Sequence, residues 1–144
     1  IEKTGRFAYF IQILGQTYIN LADFSKAKEM FSMAFKFAES SHYTQVKAKS
    51  LNGLAEIYRR NQEFELAVNN HLEAIELLDK IGAKCDLAEA YFQLGLTYKN
   101  MEREDESQEN IEKAIQLFDE IGAPKQMEKI RCQLRMISCP ANHL

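Results

Sequence analysis

Residues 93–98 read QLGLTY, and the same phrase returns in altered form as GLAEIY at 53–58 and ILGQTY at 13–18, each 40 residues from the next. The columns are Leu14, Leu54, Leu94; Gly15, Ala55, Gly95; and Tyr18, Tyr58, Tyr98. Further along stand Ala27, Ala67, Ser107; Phe31, His71, Ile111; and Ala34, Ala74, Ala114. A second phrase keeps the same step, ELLDKIGAK at 76–84 and QLFDEIGAP at 116–124. A partial fourth copy starts near Pro124 and puts Leu134 in the leucine column. No gap is needed anywhere.

Each column has a physical reading. Leu94, Gly95 and Tyr98 lie at i, i+1 and i+4, which one helical face brings together. The small residue admits a second helix, and the tyrosine covers the gap beside it. Ala67, His71 and Ala74 step by four and three, giving a second helix with a narrow stripe of small residues. The unit is therefore a pair of helices. Gly82 and Gly122 are placed to close the second helix in the left-handed conformation, and Pro124 suits the first turn of the next. His42 takes the glycine column in copy one and is read as a loop residue, since histidine tolerates that conformation better than most. Asp23 is an N-cap candidate. The spacing predicts helices over 4–21, 24–41, 44–61, 64–81, 84–101, 104–121 and 124–138.

Leu-Gly-x-x-Tyr followed by Ala, Phe and Ala at these offsets resembles the tetratricopeptide repeat, whose unit is typically about 34 residues. Here the unit is 40, similar to the long-helix repeats of signalling scaffolds and regulators. The resemblance implies an all-α, right-handed superhelical solenoid of antiparallel helix pairs. It would comprise three repeats (about 4–41, 44–81 and 84–121) and a capping helix 124–138, forming one domain over 1–144 that reads as a piece of a longer chain. There are departures. Ile11, Leu51 and Tyr91 stand where tryptophan is expected, and Ser107 replaces a small alanine. Glu104 stands where copies one and two have Phe24 and Phe64, so copy three is expected to begin its second helix differently.

In such a solenoid the first helix of each pair lines the concave side. The resemblance puts Tyr9, Gln12, Gln16 and Ile19 on that side in copy one, Lys49, Asn52, Glu56 and Arg59 in copy two, and Glu89, Phe92, Leu96 and Lys99 in copy three. Asn20, Arg60 and Asn100 follow at the rim. Lys49, Asn52 and Arg59 would hold a carboxylate and a peptide amide, beside an apolar shelf of Phe92 and Leu96. The implied function is a protein-interaction module, a scaffold or adaptor that binds a peptide or helical segment in its groove. Two alternatives stand beside it: a regulatory or sensor segment of a larger signalling protein, and a self-association module.

Composition narrows the classes. The net charge of -3 disfavours a nucleic-acid binder. It is uneven, with seven Lys/Arg against four Asp/Glu over residues 1–50 and six against nine over 101–144. Three cysteines, Cys85, Cys132 and Cys139, form no CxxC pair, so a reducing, cytoplasmic setting is expected rather than a disulfide framework. No apolar run is long enough to span a membrane, and the opening IEKTGRFAYF has no signal-peptide layout.

The glycines are scattered singly, so no phosphate loop is present. Cys139 and His143 lack a second pair for zinc. His71 reads as a packed histidine with no nucleophile in reach. Glu102, Glu104, Asp105, Glu106 and Glu109 read as a helix start, and the five methionines as core fill. The chain is expected to be no enzyme and to need no cofactor or metal.

The two ends differ. The last helix carries Lys129, Arg131, Gln133 and Arg135, and Arg131 stands in the column of Ile11, Leu51 and Tyr91, as a solvating cap would. The first helix has Phe7, Phe10, Ile11, Ile13 and Leu14 on most of its sides. Leaving them in water forgoes roughly 25 cal/mol per Å² of burial, and such patches mark interfaces. Another repeat or a second copy of the chain is expected to cover them.

Overall fold

The computed structural model describes residues 2–138, with the side chains of residues 5–136. The Cys139–His143 pair lies outside the described residues. Among the described residues seven helices follow one another: α1 (Glu2–Asn20), α2 (Phe24–Ser41), α3 (Thr44–Arg60), α4 (Phe64–Ile81), α5 (Lys84–Asn100), α6 (Glu104–Glu120) and α7 (Pro124–Ser138). No strand occurs among the described residues. The chain is an all-α solenoid of helix pairs, α1–α2, α3–α4 and α5–α6, followed by α7.

The turns explain the regular step. Ala22, His42, Gln62, Gly82, Glu102 and Gly122 all have φ between 59° and 69°, one at each junction and 20 residues apart. Only two of the six are glycine, so four junctions hold an L side chain in a conformation it avoids. At Asp23 the side chain accepts from the Lys26 N–H at 3.2 Å, capping α2. The other junctions lack such a side-chain cap, and backbone bonds close them. Pro124 opens α7. The expected irregularity in copy three does not occur, because α6 starts at Glu104 in step with Phe24 and Phe64. Position 104 faces water, and three acidic residues in the first turn of α6 favour the helix dipole there.

Small residues set how closely each pair packs. Ala27, Ala34, Ala67, Ala74 and Ala114 are fully buried and Ser107 nearly so. A Cβ on Gly95 would lie 2.6 Å from Ile111 Cγ1, and one on Gly15 2.9 Å from the Phe31 ring. Phe31 is pressed from its other side as well, since a Cβ on Gly53 of α3 would come within 2.4 Å of it. Phe31 therefore joins the first pair to the second, and burying such a ring contributes about 1.5–3 kcal/mol. Ile111, Phe118, Phe92 and Ile130 build the matching cluster between α5, α6 and α7.

The ends differ in the structure too. On α7, Ile130 is buried while Arg131 and Arg135 are exposed, and Arg135 pairs with Glu128 at 3.0 Å. On α1, Phe7 is half-exposed with its edge against the Phe37 ring, and Phe10 is 64% exposed.

Candidate functional site

The inner faces of α1, α3 and α5 open onto one groove of about 840 Å³, with Lys129 and Gln133 of α7 at its far end. Gln12, Gln16, Ile19 and Asn20 come from α1, Lys49, Asn52, Glu56 and Arg60 from α3, and Glu89 from α5. The repeat step accounts for this. A residue on one inner face recurs 40 positions later on the next, as with Lys49, Glu89 and Lys129.

Five residues expected on the concave side stand elsewhere. Tyr9 is half-exposed outside the groove lining, its ring beside that of Phe10. Phe92 is 1% exposed and packs with Ala88, Ile111 and Phe118, so it offers no apolar shelf. Leu96 packs against the same cluster. Lys99 lies 3.9 Å from Glu104, off the groove. Arg59 is 8% exposed and turned inward, with Nη1 donating to the Gln93 carbonyl at 3.4 Å and Nη2 3.9 Å from Glu56. Burial pushes its guanidinium below the ordinary value, and Glu56 opposes that shift. The expected fork of Lys49, Asn52 and Arg59 is therefore not assembled. Lys49 instead reaches across to Asp86 on α5, 3.6 Å away, and Gln45 donates to the same carboxylate at 2.6 Å.

Other groove residues escaped the sequence reading. Asp86 and Gln93 of α5 line it, as do Ile13, Thr17 and Gly53. Gln93 and Gln133 share a column with Gly53, and that column was the available signal. In α3 the position is a glycine and presents no side chain.

Beneath the groove lies a polar network in place of core. His71 is fully buried in the column that holds Phe31 and Ile111. Its Nδ1 lies 2.6 Å from Asn52 Oδ1, and its Nε2 lies 3.1 Å from Thr97 Oγ1. An amide oxygen only accepts, so Nδ1 carries the imidazole proton and Nε2 accepts from the Thr97 hydroxyl. The hydroxyl has one proton, and the Gln93 backbone carbonyl that Arg59 approaches competes with Nε2 for it at 3.1 Å. Burial, helped by the Arg59 charge, pulls the His71 pKa from 6.5 to about 3, so the ring is neutral at physiological pH. A neutral histidine anchored on both sides holds the Asn52 amide still at the groove floor.

The groove's charges are largely matched internally. Arg60 donates to Glu56 at 3.2 Å, and Gln93 Nε2 donates to Glu89 at 3.0 Å. By contrast the buried Oε1 atoms of Gln12, Gln93 and Gln133 meet no donor among the described residues. The site is a neutral, amide-rich trough. Among the described residues no group of three His, Cys, Asp or Glu is placed to hold a metal, and no helix is long and apolar enough to cross a membrane.

Two family models match the chain, both described as tetratricopeptide repeat, one over residues 46–120 and the other over 8–40. By sequence, no match to a curated protein is found. Solved structures share the fold at low identity. The TPR domain of Arabidopsis FLU superposes with a TM-score of 0.71 at 16% identity, covering 81% of this chain and 98% of that one. The N-terminal domain of stress-induced protein-1 from C. elegans gives 0.62 at 17%, covering 89% and 97%. BtubC from P. vanneervenii gives 0.66 at 19%, covering 95% and 65%. With Leu-Gly-x-x-Tyr on the first helix of a pair, small residues between the helices and a matching model over more than half its length, the chain belongs to the tetratricopeptide repeat family.

Proposed function

We propose that this protein-interaction module takes a peptide or helical segment of a partner protein in the groove formed by α1, α3, α5 and α7. The observation that carries the reading is the pairing of an open trough of about 840 Å³ with side chains already anchored from below. Asn52 is held by His71, and the Gln93 amide by Glu89. Preorganised groups lose little freedom when a ligand arrives, so a few contacts suffice for measurable affinity. Amides both donate and accept, which suits a peptide backbone or an uncharged polar side chain. Acting as a scaffold or adaptor in a cytoplasmic setting fits such a module.

The test is affinity capture followed by mass spectrometry. It compares the wild-type chain with Gln16→Ala/Asn20→Ala/Lys129→Glu, three groove changes at exposed positions. A partner retained by the first and lost by the second, with circular dichroism unchanged, supports the groove. Equal capture by both removes it.

A further inference from the structure

Arg59, His71 and Thr97 are buried side chains that lead to Asn52, and Asn52 opens on the groove. The fold does not require this polar set. Each of its positions holds an apolar residue in another repeat: Phe92 in the column of Asn52, Ile19 in that of Arg59, Phe31 and Ile111 in that of His71, and Ile57 in that of Thr97. All five of those are buried. Polar groups set where hydrocarbon packs equally well cost desolvation unless each finds a partner.

The hydrogen bonds of the set run in one direction. A backbone carbonyl has two lone pairs. Within α5 the Gln93 carbonyl takes the helical N–H of Thr97, and Arg59 Nη1 approaches it at 3.4 Å. The Thr97 hydroxyl, 3.1 Å from both that carbonyl and His71 Nε2, therefore gives its single proton to Nε2. The neutral ring keeps its own proton on Nδ1 and donates it to Asn52 Oδ1 at 2.6 Å. Among the described residues His71 is the only hydrogen-bond partner of the Asn52 side chain, so its NH2 is left for the groove. The reverse direction, with Thr97 donating to Gln93 and Nε2 to Thr97, would turn the amide over and offer oxygen instead.

We propose that Arg59, Thr97 and His71 are positioning residues that fix Asn52 as a hydrogen-bond donor, so that the groove selects a segment setting a carbonyl oxygen, of its backbone or of an amide side chain, against that NH2. The ligand half rests on the groove reading, whereas the direction of the hydrogen bonds does not.

Nitrogen NMR of the labelled chain tests both halves. The His71 ring is expected in the Nδ1–H form alone. Arg59→Met returns a lone pair to the Gln93 carbonyl and should move the ring toward Nε2–H, and Glu56 keeps Arg60 as its partner. Thr97→Val should let both forms appear, and Thr97→Ser should restore the single one, with circular dichroism helical throughout. The probe for the groove is N,N-dimethylacetamide, which has a carbonyl and no N–H. It should shift the Asn52 NH2 signals more than those of exposed Asn69, and His71→Ile should abolish that difference. An Nε2–H ring in the wild-type chain overturns the proposal even where a partner binds the groove. An Asn52 NH2 no more responsive than Asn69 overturns it as well. Equal affinity capture by wild type and groove variant removes the groove reading instead, and leaves the ring form as it is.

Discussion

Phe31 and His71 occupy the same place in consecutive repeats, and both are fully buried. Their surroundings are opposite. Phe31 lies between Gly15 and Gly53, two positions with no side chain. His71 lies between Asn52 and Thr97 and hydrogen-bonds to each. The column of Asn52 follows its neighbour: Phe92 stands there in the repeat whose second helix carries Ile111. Polar meets polar in the middle repeat and apolar meets apolar in the third. The first repeat is mismatched, with Gln12 in the column of Asn52 and Phe31 in that of His71. Gln12 is 5% exposed, and its Oε1 meets no donor among the described residues. One backbone position can serve as hydrophobic core or as polar support for a groove, and the residue 19 positions before it goes with the choice in the second and third repeats.

The comparison breaks hardest at Phe31. Phe31→Ala empties the contact between two repeats and should cost about 3–5 kcal/mol in urea unfolding, the usual range for a buried aromatic cut to alanine. An unchanged midpoint would show that the ring does not join the pairs. Gly53→Ala attacks the same ring from the other side. Its Cβ would overlap Phe31 at 2.4 Å, and a loss of about 2–3 kcal/mol is expected from overpacking.

At His71 the readout is pH. The folded pKa of about 3 lies below the ordinary 6.5, so between these values the unfolded chain binds a proton that the folded chain refuses. The contribution of His71 is therefore fully present above pH 6.5 and is lost as pH falls toward 3. The slope reaches at most about 1.4 kcal/mol per pH unit. It is read most cleanly from pH 6.5 to about 5, before carboxylates titrate. His71→Ile, the residue of copy three, should flatten that part of the profile. A slope that persists in this variant would assign it to another group.

The smallest effect is a gain. Gln12→Leu removes a buried acceptor without a donor and should raise stability by about 1 kcal/mol. A loss instead would mean that Gln12 is satisfied by water.

The step of 40 placed all seven helices within two residues of their observed ends, because helix length and turn type recur with the columns. Asp23, Gly82, Gly122 and Pro124 announced their boundaries, since capping and left-handed turns have residue preferences that act locally. Ala22, Gln62 and Glu102 gave no such sign, yet each adopts the same left-handed turn. There the packing of the flanking helices outweighs a local preference of about a kcal/mol.

The groove was legible only in part. Gln12, Gln16, Asn20, Lys49, Asn52, Glu56 and Glu89 line it, as their columns imply. Phe92 and Arg59 do not, although their columns match. A column states where along and around a helix a side chain starts, but not what the neighbouring helix leaves open. At Phe92 the cluster with α6 and α7 closes the space, and at Arg59 the Gln93 carbonyl and Glu56 draw the guanidinium inward.

The sequence by itself determined the repeat, the helix pairs and the family, because periodicity and caps act over one or two turns of chain. It also determined that α1 is apolar and uncharged on its outward side. Only the tertiary structure decided that His71 supports Asn52 rather than merely filling core, that Lys49 is engaged by Asp86, and that Lys49, Asn52 and Arg59 form no fork. Those outcomes depend on side chains 19 to 41 positions apart meeting within hydrogen-bond or ion-pair distance. No local pattern encodes such meetings, because the stacking of one helix pair on the next creates them.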